Sequence, residues 1–339
     1  MKAGKTSTGS LRPATLEDVA REAGLSAMTV SRAINTPQVV RPKTVEKVMA
    51  AVRATGYIPN ALAGGLASKR SKLIAVVVPQ INNSMFVDTI QSISDELARR
   101  GYHMLLCVAG YTHESEAEIV TTILSRRPDG IVLTGIHHSP ELRKTVLNAS
   151  IPVVEIWDLT PTPLDMLVGF SHEKVGYAIG QYLLNKGYRR FGLIWTEDRR
   201  AAQRKNGVCE LLAQHGVDTP TEVLVPLPAS LKLGREACAS LLESDAVPDV
   251  LVCSSDTLAQ GAIVEAVHRG MRVPEDIAVM GFGDLDFAAF HEPAITTVGI
   301  DRWGVGKRAT DMLLEKLAGG FVSDPIVDVG FVLIERHSA

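Results

Sequence analysis

Hydrophobic and polar residues alternate near the start of the chain with the period of two short amphipathic helices. The first segment places four apolar residues on one helix face, at i, i+3, i+4 and i+7: Leu16, Val19, Ala20 and Ala23. Thr15 and Asp18 have the spacing of a capping box, and Gly24 suits the left-handed backbone of a helix end. Ser26 is placed to cap a second helix, whose apolar face holds three residues: Val30, Ala33 and Ile34. This order is typical of a helix-turn-helix, whose second helix can enter a DNA major groove, although any helical hairpin shares it.

A third apolar stripe predicts a helix that closes a small three-helix core. Its positions are Val45, Val48, Met49 and Val52. Pro42 suits the first turn of this helix and Gly56 suits its end. The first part of the chain is therefore predicted to be all-α.

From Leu73 onward the period changes, and short apolar runs alternate with helical segments. The first cycle predicts strands at 73–79, 103–109, 130–134 and 152–156, with helices at 84–100, 114–127 and 140–149. The second cycle predicts helices at 172–187, 201–215, 231–243 and 257–269, with strands at 190–195, 223–226, 249–254 and 277–282. A helix at 304–318 and a short strand near 327–333 follow. Such alternation implies parallel sheets, so we expect two doubly wound α/β lobes.

The residues of the first two helices form the run T-L-x-D-V-A-x-x-A-G-L-S-x-x-T-V-S-R-x-I-N, from Thr15 to Asn35. This run resembles the headpiece signature of the lac repressor and gal repressor family of bacterial transcription regulators. The resemblance covers nearly all of residues 13–337, and its closest branch is that of the gluconate-operon repressors. It implies a helix-turn-helix headpiece followed by a periplasmic-binding-protein-like effector domain. Arg41 departs from the pattern, because the family usually has a Ser or Thr that caps the third helix.

The pattern and the resemblance together predict four parts of the chain. These are a flexible arm at 1–12, a DNA-binding headpiece at 13–60, a hinge helix or linker at 61–72, and an effector-binding and dimerisation domain at 73–339. Within the last part, we expect an N-lobe at about 73–169 and 301–327 and a C-lobe at about 170–300 and 328–339. A reader of palindromic operators needs two heads on a two-fold axis, so we also expect a homodimer.

Charge is distributed unevenly between the headpiece and the rest of the chain. Residues 1–72 hold 12 Lys and Arg against 4 Asp and Glu, a net charge of +8, and the other 267 residues hold 23 against 34, a net charge of −11. A basic head on an acidic body favours contact with phosphate at one end. No apolar run reaches the ~20 residues of a membrane span, and the polar start lacks a signal-peptide core. We therefore expect a cytoplasmic protein that contacts no membrane.

The cysteines show neither a C-x-x-C pair nor a metal-ligand spacing, so we expect free thiols, no metal and no cofactor. Their positions are Cys107, Cys209, Cys238 and Cys253.

The resemblance implies which residues contact operator DNA. The positions of Ala27 and Met28 reach base edges in relatives, and these two side chains can offer only apolar contact, for example to a thymine methyl. Arg32 lies about one turn further on and can read a guanine. Leu66 matches the hinge leucine that wedges into the minor groove in relatives. The other DNA candidates, of which Thr15 and Ser26 are equally explained as helix caps, are Thr15, Leu16, Ser26, Thr29, Ser31, Asn35, Tyr57 and Asn60.

Effector candidates follow the predicted strands, because ligands of open α/β sheets bind beyond the carboxyl ends of strands. Arg204 matches an arginine that binds effector hydroxyls or carboxylates in relatives, although it could also be a surface arginine on a solvated helix. Ser255 and Asp256 stand where sugar-binding relatives have an Asn-Asp pair; Asp256 matches, and it could equally cap the helix at 257–269. Asn83 and Phe86 match the family's first strand-to-helix turn.

The expected ligand class follows from one missing acid. Gly283 stands where many relatives that bind neutral sugars or bases carry a carboxylate. A pocket that keeps Arg204 and lacks this acid favours an anionic ligand, since like charges in a low-dielectric cleft are costly.

Two stretches, at 133–142 and 151–170, are similar to the gluconate-operon repressors. They place His137, His138, Glu155 and Asp158 beyond strand ends, although both histidines could also be ordinary loop residues. Histidine and arginine suit the carboxylate of a sugar acid, and the two acids suit its hydroxyls. We expect gluconate or a close relative, such as a phosphorylated or keto form, as the effector.

Three functions are compatible with these patterns. The first is a ligand-controlled repressor, which could also respond to a neutral sugar or a nucleobase. The second is an α/β enzyme, but the sequence shows no G-x-S-x-G, no phosphate-binding G-x-x-x-x-G-K-[ST] and no convincing catalytic triad. The third is a sugar-binding protein without a regulatory role, which the basic head opposes. We therefore expect a repressor and not an enzyme.

Gly64 and Gly65 stand in the hinge where polar or long residues are usual in the family. Each Gly costs a helix about 1 kcal/mol relative to Ala, so we expect this hinge helix to form less readily off DNA. Gly64→Ala and Gly65→Ala should therefore tighten operator binding in a titration. Unchanged or weaker affinity would contradict this expectation.

Overall fold

The computed structural model describes residues 12–58 and 70–339. The chain divides into two compact units between Ser71 and Lys72. Most of the predicted arm at 1–12 and of the hinge at 61–72 lies outside the described residues, and so do Asn60, Leu66 and the Gly64-Gly65 pair.

The described residues of the first unit form three α-helices, α1 (Leu16–Ala23), α2 (Ala27–Asn35) and α3 (Pro42–Thr55), with a short 3-10 helix at Pro37–Val39. The predicted caps are confirmed: Thr15 and Asp18 form a reciprocal capping box, Ser26 accepts the amide of Thr29, and Gly24 has a φ of 58°. No side chain caps α3, which begins at a proline instead. Local hydrogen bonds therefore determine where these helices begin and end.

The headpiece core is formed where the three apolar faces meet. Its buried members are Val19, Ala20, Ala23, Val30, Ala33, Val48 and Ala51. The prediction that Met49 belongs to this core is wrong, because 39% of its side chain is exposed. Val48 and Ala51 occupy the buried face of α3. Successive residues of a helix are about 100° apart around its axis, so Met49, which follows Val48, points away from that face.

The second unit alternates strands and helices. Its first elements are β1 (Leu73–Val78), α4 (Ser84–Arg99), β2 (His103–Val108), α5 (His113–Leu124), β3 (Gly130–Thr134), α6 (Pro140–Ala149), β4 (Val153–Ile156) and β5 (Met166–Gly169). There follow α7 (His172–Asn185), β6 (Phe191–Thr196), α8 (Arg199–Gln214), β7 (Thr221–Val225), α9 (Leu231–Leu242), β8 (Val250–Cys253), α10 (Asp256–His268) and β9 (Ala278–Met280). The last are β10 (Thr297–Gly299), α11 (Arg302–Leu317), β11 (Ile326–Asp328) and β12 (Val332–Ile334).

Two parallel sheets form the centres of two lobes. The N-lobe sheet has the order β11-β5-β4-β3-β1-β2, and the C-lobe sheet has the order β7-β6-β8-β9. Every pairing within these two sheets is parallel. The predicted doubly wound α/β class is confirmed. Among the described residues, no helix is long and apolar enough to cross a membrane.

The end of the chain differs from the prediction. The single strand expected near 327–333 is two strands, because Gly330 turns the backbone with a φ of 65°. β11 pairs with β5 in the N-lobe sheet, and β12 pairs antiparallel with β10. The pattern also missed β5 and β10, which are four and three residues long and too short for a clear period.

Helices α7 and α8 of the C-lobe pack at very close range because glycines face each other across the contact. A methyl group on Gly176 would overlap the carbonyl oxygen of Arg204, and one on Gly207 would overlap the carbonyl oxygen of Glu173. The obstacle is backbone in both cases, so no side chain can move aside. This contact fixes the position of the helix that carries Arg204.

Gly176→Ala should lower the stability of the second unit. Alanine gains about 1 kcal/mol in helix propensity, but overpacking costs about 1–3 kcal/mol and here meets a rigid backbone. We expect the overlap to prevail and the midpoint of thermal unfolding of the full chain to fall by several degrees. Lys174→Ala, at an exposed position of the same helix, is the matched control and should leave the midpoint unchanged. Equal midpoints for the two variants would refute the close contact.

Candidate functional site

The start of α2 presents the predicted base-reading residues on the surface of the headpiece. Met28 is 66% exposed and Arg32 is exposed, whereas Ala27 is half-buried against the headpiece core. This geometry is compatible with α2 as the recognition helix.

The other predicted DNA residues divide into caps, surface polar groups and packing residues. The hydroxyls of Thr15 and Ser26 bond within their own caps, at 2.7 Å to Asp18 and 2.9 Å to Thr29. Asn35 donates to Ser31 over 3.3 Å at the exposed end of α2. Two further candidates, Leu16 and Tyr57, pack against the headpiece core.

The candidate effector cleft consists of two adjoining cavities between strand ends of the two lobes. The first has a volume of about 200 Å³ and the second about 370 Å³, and they share Tyr111, Asp198 and Arg200 in their walls. The first cavity brings together four of the predicted effector residues: Asn83, Phe86, Arg204 and Ser255. The second brings together three others: His137, His138 and Asp158. The predicted residues therefore lie in two compartments and not in one.

Arg204 is the main charged group of the first cavity. Its side chain is on α8, and the whole residue is only 5% exposed. One terminal nitrogen donates to Nδ1 of His172 at 3.0 Å, and the other donates to the carbonyl of Ser254 at 3.1 Å. The guanidinium lies 3.9 Å from the ring centroid of Phe282. Burial lowers the pKa of Arg204 to about 10, so it stays charged at neutral pH.

In the part of the chain that the structure describes, no acid is bonded to this guanidinium. Among the acids, Asp198 has the largest effect on the pKa of Arg204. Its carboxylate is already engaged, because it caps α8 by accepting the amide of Ala201 at 2.9 Å and also accepts the hydroxyl of Thr196 at 2.8 Å. Within the described residues, Nε of Arg204 has no hydrogen-bond partner. Because Arg204 lines the first cavity, this buried N–H is a candidate donor to a ligand.

The second cavity contains a buried histidine between two acids. Nδ1 of His138 lies 2.9 Å from Glu116, and Nε2 lies 3.1 Å from the carbonyl of Gly135 and 3.4 Å from Glu155. Burial opposes the charge of His138, but its hydrogen bonds to Glu116 and Glu155 raise its pKa to about 9. Because both ring nitrogens already face acceptors, His138 shapes the cavity wall and has little capacity left for a ligand.

Asp158 offers an acceptor at the wall of the second cavity. It is 2% exposed, and burial raises its pKa to about 6. Oδ1 accepts the amide of Leu159 at 3.0 Å, whereas Oδ2 has no partner among the described residues. A ligand hydroxyl would satisfy this oxygen.

Three predicted effector residues line neither cavity. Glu155 is fully buried and accepts the amide of Leu164 at 2.6 Å. Asp256 accepts the amide of Leu285 at 2.8 Å and the hydroxyl of Thr297 at 2.6 Å, and Ser255 rather than Asp256 caps α10. These two carboxylates therefore bond to the protein itself, outside the cavity lining.

Gly283 also lies behind the wall, with a φ of 127° that disfavours other residues. The sulfur of Met85 fills the space that a side chain would need there. An apolar group therefore occupies the space in which a side chain at position 283 would lie.

The sequence reasoning missed several residues that form the cleft, because they lie just outside the matched motif positions. They are Tyr111, Trp157, His172, Asp198, Arg200 and Phe282. Each follows a strand or begins a helix, so the rule that sites lie at strand ends would have selected all six. Among the described residues, no cluster of three or more His, Cys, Asp or Glu could hold a metal ion.

Comparisons with known proteins agree with this architecture. The family model of the bacterial regulatory proteins of the lacI family matches residues 15–60, and the model of periplasmic binding proteins and the sugar binding domain of the LacI family matches residues 71–325. The transcriptional regulator GntR of Pseudomonas aeruginosa is 36% identical over 326 residues, which cover 96% of this chain and 95% of the relative.

Solved structures share this fold over most of the chain. A LacI family transcriptional regulator from Silicibacter pomeroyi superposes with a TM-score of 0.91 at 31% identity, covering 96% of this chain and 99% of that one. The lac repressor dimer bound to operator and an anti-inducer superposes with a TM-score of 0.81 at 26% identity, with the same two coverages. The chain therefore belongs to the lacI family of bacterial regulatory proteins, and it is a ligand-responsive DNA-binding transcription repressor and not an enzyme.

Proposed function

We propose that the effector of this repressor is a sugar acid of the gluconate type, bound with its carboxylate at Arg204. The observation that carries this proposal is the buried guanidinium of Arg204: among the described residues, its Nε has no hydrogen-bond partner and no acid is bonded to it. Burying an ion costs several kcal/mol, even after the protein has relaxed around it. A ligand carboxylate recovers part of this cost, and a neutral ligand does not.

The rest of the cleft suits a hydroxylated chain. Asn83 and Ser255 face the first cavity, and Oδ2 of Asp158 is an acceptor without a partner at the second. A linear polyol reaching past Arg200 from one cavity to the other would give these groups hydroxyl partners. The similarity to the gluconate-operon repressors at 133–142 and 151–170, and the similarity to GntR, support the same ligand class.

A repressor that responds to a neutral sugar or a nucleobase is the second candidate. The rings of Phe86, Trp157 and Phe282 line the first cavity and could stack on such a ligand. Titration calorimetry separates the two: gluconate should bind, and neutral glucose or a purine base should not. Binding of a neutral sugar or a base, without binding of any sugar acid, would exclude the sugar-acid proposal.

We propose that two copies of the chain read a palindromic operator in the cytoplasm and that the effector releases them. α2 would enter the major groove, with Met28 and Arg32 at base edges, while the capped hydroxyls at the helix starts lie near phosphates. Hinge contacts by Asn60 and Leu66 remain part of this proposal. Two-fold symmetry of operator and protein is its geometric basis.

Arg204→Met should weaken gluconate binding at least about tenfold and leave operator affinity intact. Methionine keeps much of the apolar packing against Phe282 but removes the donors and the charge. Hydrogen bonds to a charged group contribute about 1.5–3 kcal/mol each, so the dissociation constant should rise at least about tenfold. Calorimetry measures the effector affinity, and a gel shift measures the operator affinity.

The matched control is Lys205→Met, which removes the same charge from the next residue of α8. Lys205 pairs with Glu222 at 2.6 Å and lines neither cavity. It should bind gluconate like the wild-type chain. Equal losses in the two variants would mean that only the net charge of α8 matters, and would contradict a carboxylate site at Arg204.

Arg32→Ala should weaken operator binding and broaden its specificity at one base pair. A bidentate contact with guanine provides about 1–3 kcal/mol of discrimination. Binding to a set of operators substituted at each position measures this, with Arg53→Ala on the exposed face of α3 as the control for lost charge. A uniform loss across all sequences would make Arg32 a phosphate contact instead.

A further inference from the structure

His172 connects the arginine of the effector cleft to the opposite lobe. Its Nδ1 lies 3.0 Å from Nη1 of Arg204, and its Nε2 lies 2.9 Å from the carbonyl oxygen of Trp157. A guanidinium can only donate hydrogen bonds, and a carbonyl can only accept them. The ring must therefore be neutral, with its one proton on Nε2.

The surroundings of His172 keep it in this form. The residue is 2% exposed, and its ring lies 4.5 Å from that of Phe170 and 6.4 Å from that of Phe282. The charged groups that face it are Arg204 and Arg200, both positive and both on α8. Burial first, and then the charge of Arg204, lower the pKa of His172 well below its ordinary value. A neutral acceptor orients Arg204 without cancelling its charge.

Trp157 receives this hydrogen bond in a conformation that the N-lobe holds from several sides. Its φ is 70°, a left-handed backbone that residues with side chains rarely adopt. Its amide donates to the carbonyl of Val168 at 3.2 Å, and its indole N–H donates to Thr89 at 3.2 Å. Its ring packs edge-on against Phe86 at 5.3 Å and Phe170 at 5.9 Å. Strained residues held this firmly are typical of functional sites.

The hydrogen bonds continue from Trp157 into two N-lobe helices. The hydroxyl of Thr89 on α4 donates to the carbonyl of Arg302 at 2.9 Å, where α11 begins. The guanidinium of Arg302 bonds to Asp88 on α4 at 2.8 Å and returns to the C-lobe at the carbonyls of Gly283 and Asp284. A displacement of His172 therefore bears on two N-lobe helices, one of which is bonded back to the C-lobe through Arg302.

We propose that His172 is a positioning residue with two separable tasks in effector response. Nδ1 holds Arg204 in the orientation that meets the effector, and Nε2–H transmits the position of α8 to the N-lobe through Trp157. The inference rests on the proposed effector site at Arg204. It goes beyond that site because it assigns the coupling between lobes to one ring.

Two substitutions separate the tasks, because each retains one half of the imidazole. His172→Asn places an amide oxygen near the position of Nδ1, so it keeps the acceptor for Arg204 and loses the donor to Trp157. His172→Gln places an amide nitrogen near the position of Nε2, so it keeps the donor to Trp157 and loses the acceptor. Glu173→Gln, at the exposed neighbouring residue of α7, is the control.

The readouts are the dissociation constant of gluconate and the ratio of operator affinities without and with saturating gluconate, both for the full chain. His172→Asn should bind gluconate within threefold of the wild-type chain, with the operator ratio reduced at least fivefold. His172→Gln should bind gluconate at least tenfold more weakly, with a near-normal ratio at saturation. The control should change neither. Equal behaviour of the Asn and Gln variants would overturn the inference and point to a structural role.

One measurement tests the tautomer of His172 without an effector. A failure of gluconate to bind is therefore a separate result. Nitrogen-15 NMR of histidine-labelled full-length chain, with His172 assigned by its absence in His172→Asn, should show an unprotonated Nδ1 and a protonated Nε2 between pH 6 and 8. The opposite tautomer, or a doubly protonated ring, would overturn the inference.

Discussion

The charge of one buried guanidinium constrains the whole effector cleft. Arg204 is enclosed by α8, the ring of Phe282 and the end of β8, yet no carboxylate within residues 12–58 and 70–339 is bonded to it. Burying a charge in such a place has a high free-energy cost, because the interior compensates for little of the lost hydration. The cleft offsets the cost with a carbonyl, an imidazole and an aromatic face, all of which are neutral. The charge that remains without a directly bonded acid is the reason why we propose an anionic effector.

The same residue is held by the closest helix contact of the C-lobe. The absence of a side chain at Gly176 leaves room for the backbone carbonyl of Arg204, so the packing of α7 on α8 fixes the backbone position of Arg204. His172, at the start of α7, fixes the position of the guanidinium by accepting a hydrogen bond from it. One helix pair thus fixes both the backbone and the side chain, which is the kind of preorganisation that lowers the entropic cost of binding.

The headpiece could be predicted almost completely from the sequence, because caps such as Thr15 with Asp18 act over three residues. The alternation of strands and helices likewise predicted both lobes. The cleft was harder, because its contacts are long-range: His172 and Arg204 lie 32 residues apart. At Gly283 the sequence showed a missing side chain but not that the sulfur of Met85 fills its place. A sequence motif can identify a position of the site, but only the packed structure shows which side chains contact it.

A neutral partner for Arg204 explains how one group can serve both recognition and response. A carboxylate in the position of His172 would pair with the guanidinium in a low-dielectric interior, and an incoming ligand anion would have to compete with it. The imidazole orients Arg204 while leaving its charge available, and its second nitrogen is free to hold the carbonyl of Trp157. Ligand contact and lobe contact then share one rigid ring. Because an effector shifts an equilibrium only by its differential affinity for the two states, such a shared ring makes any movement of Arg204 a movement of the lobe interface as well.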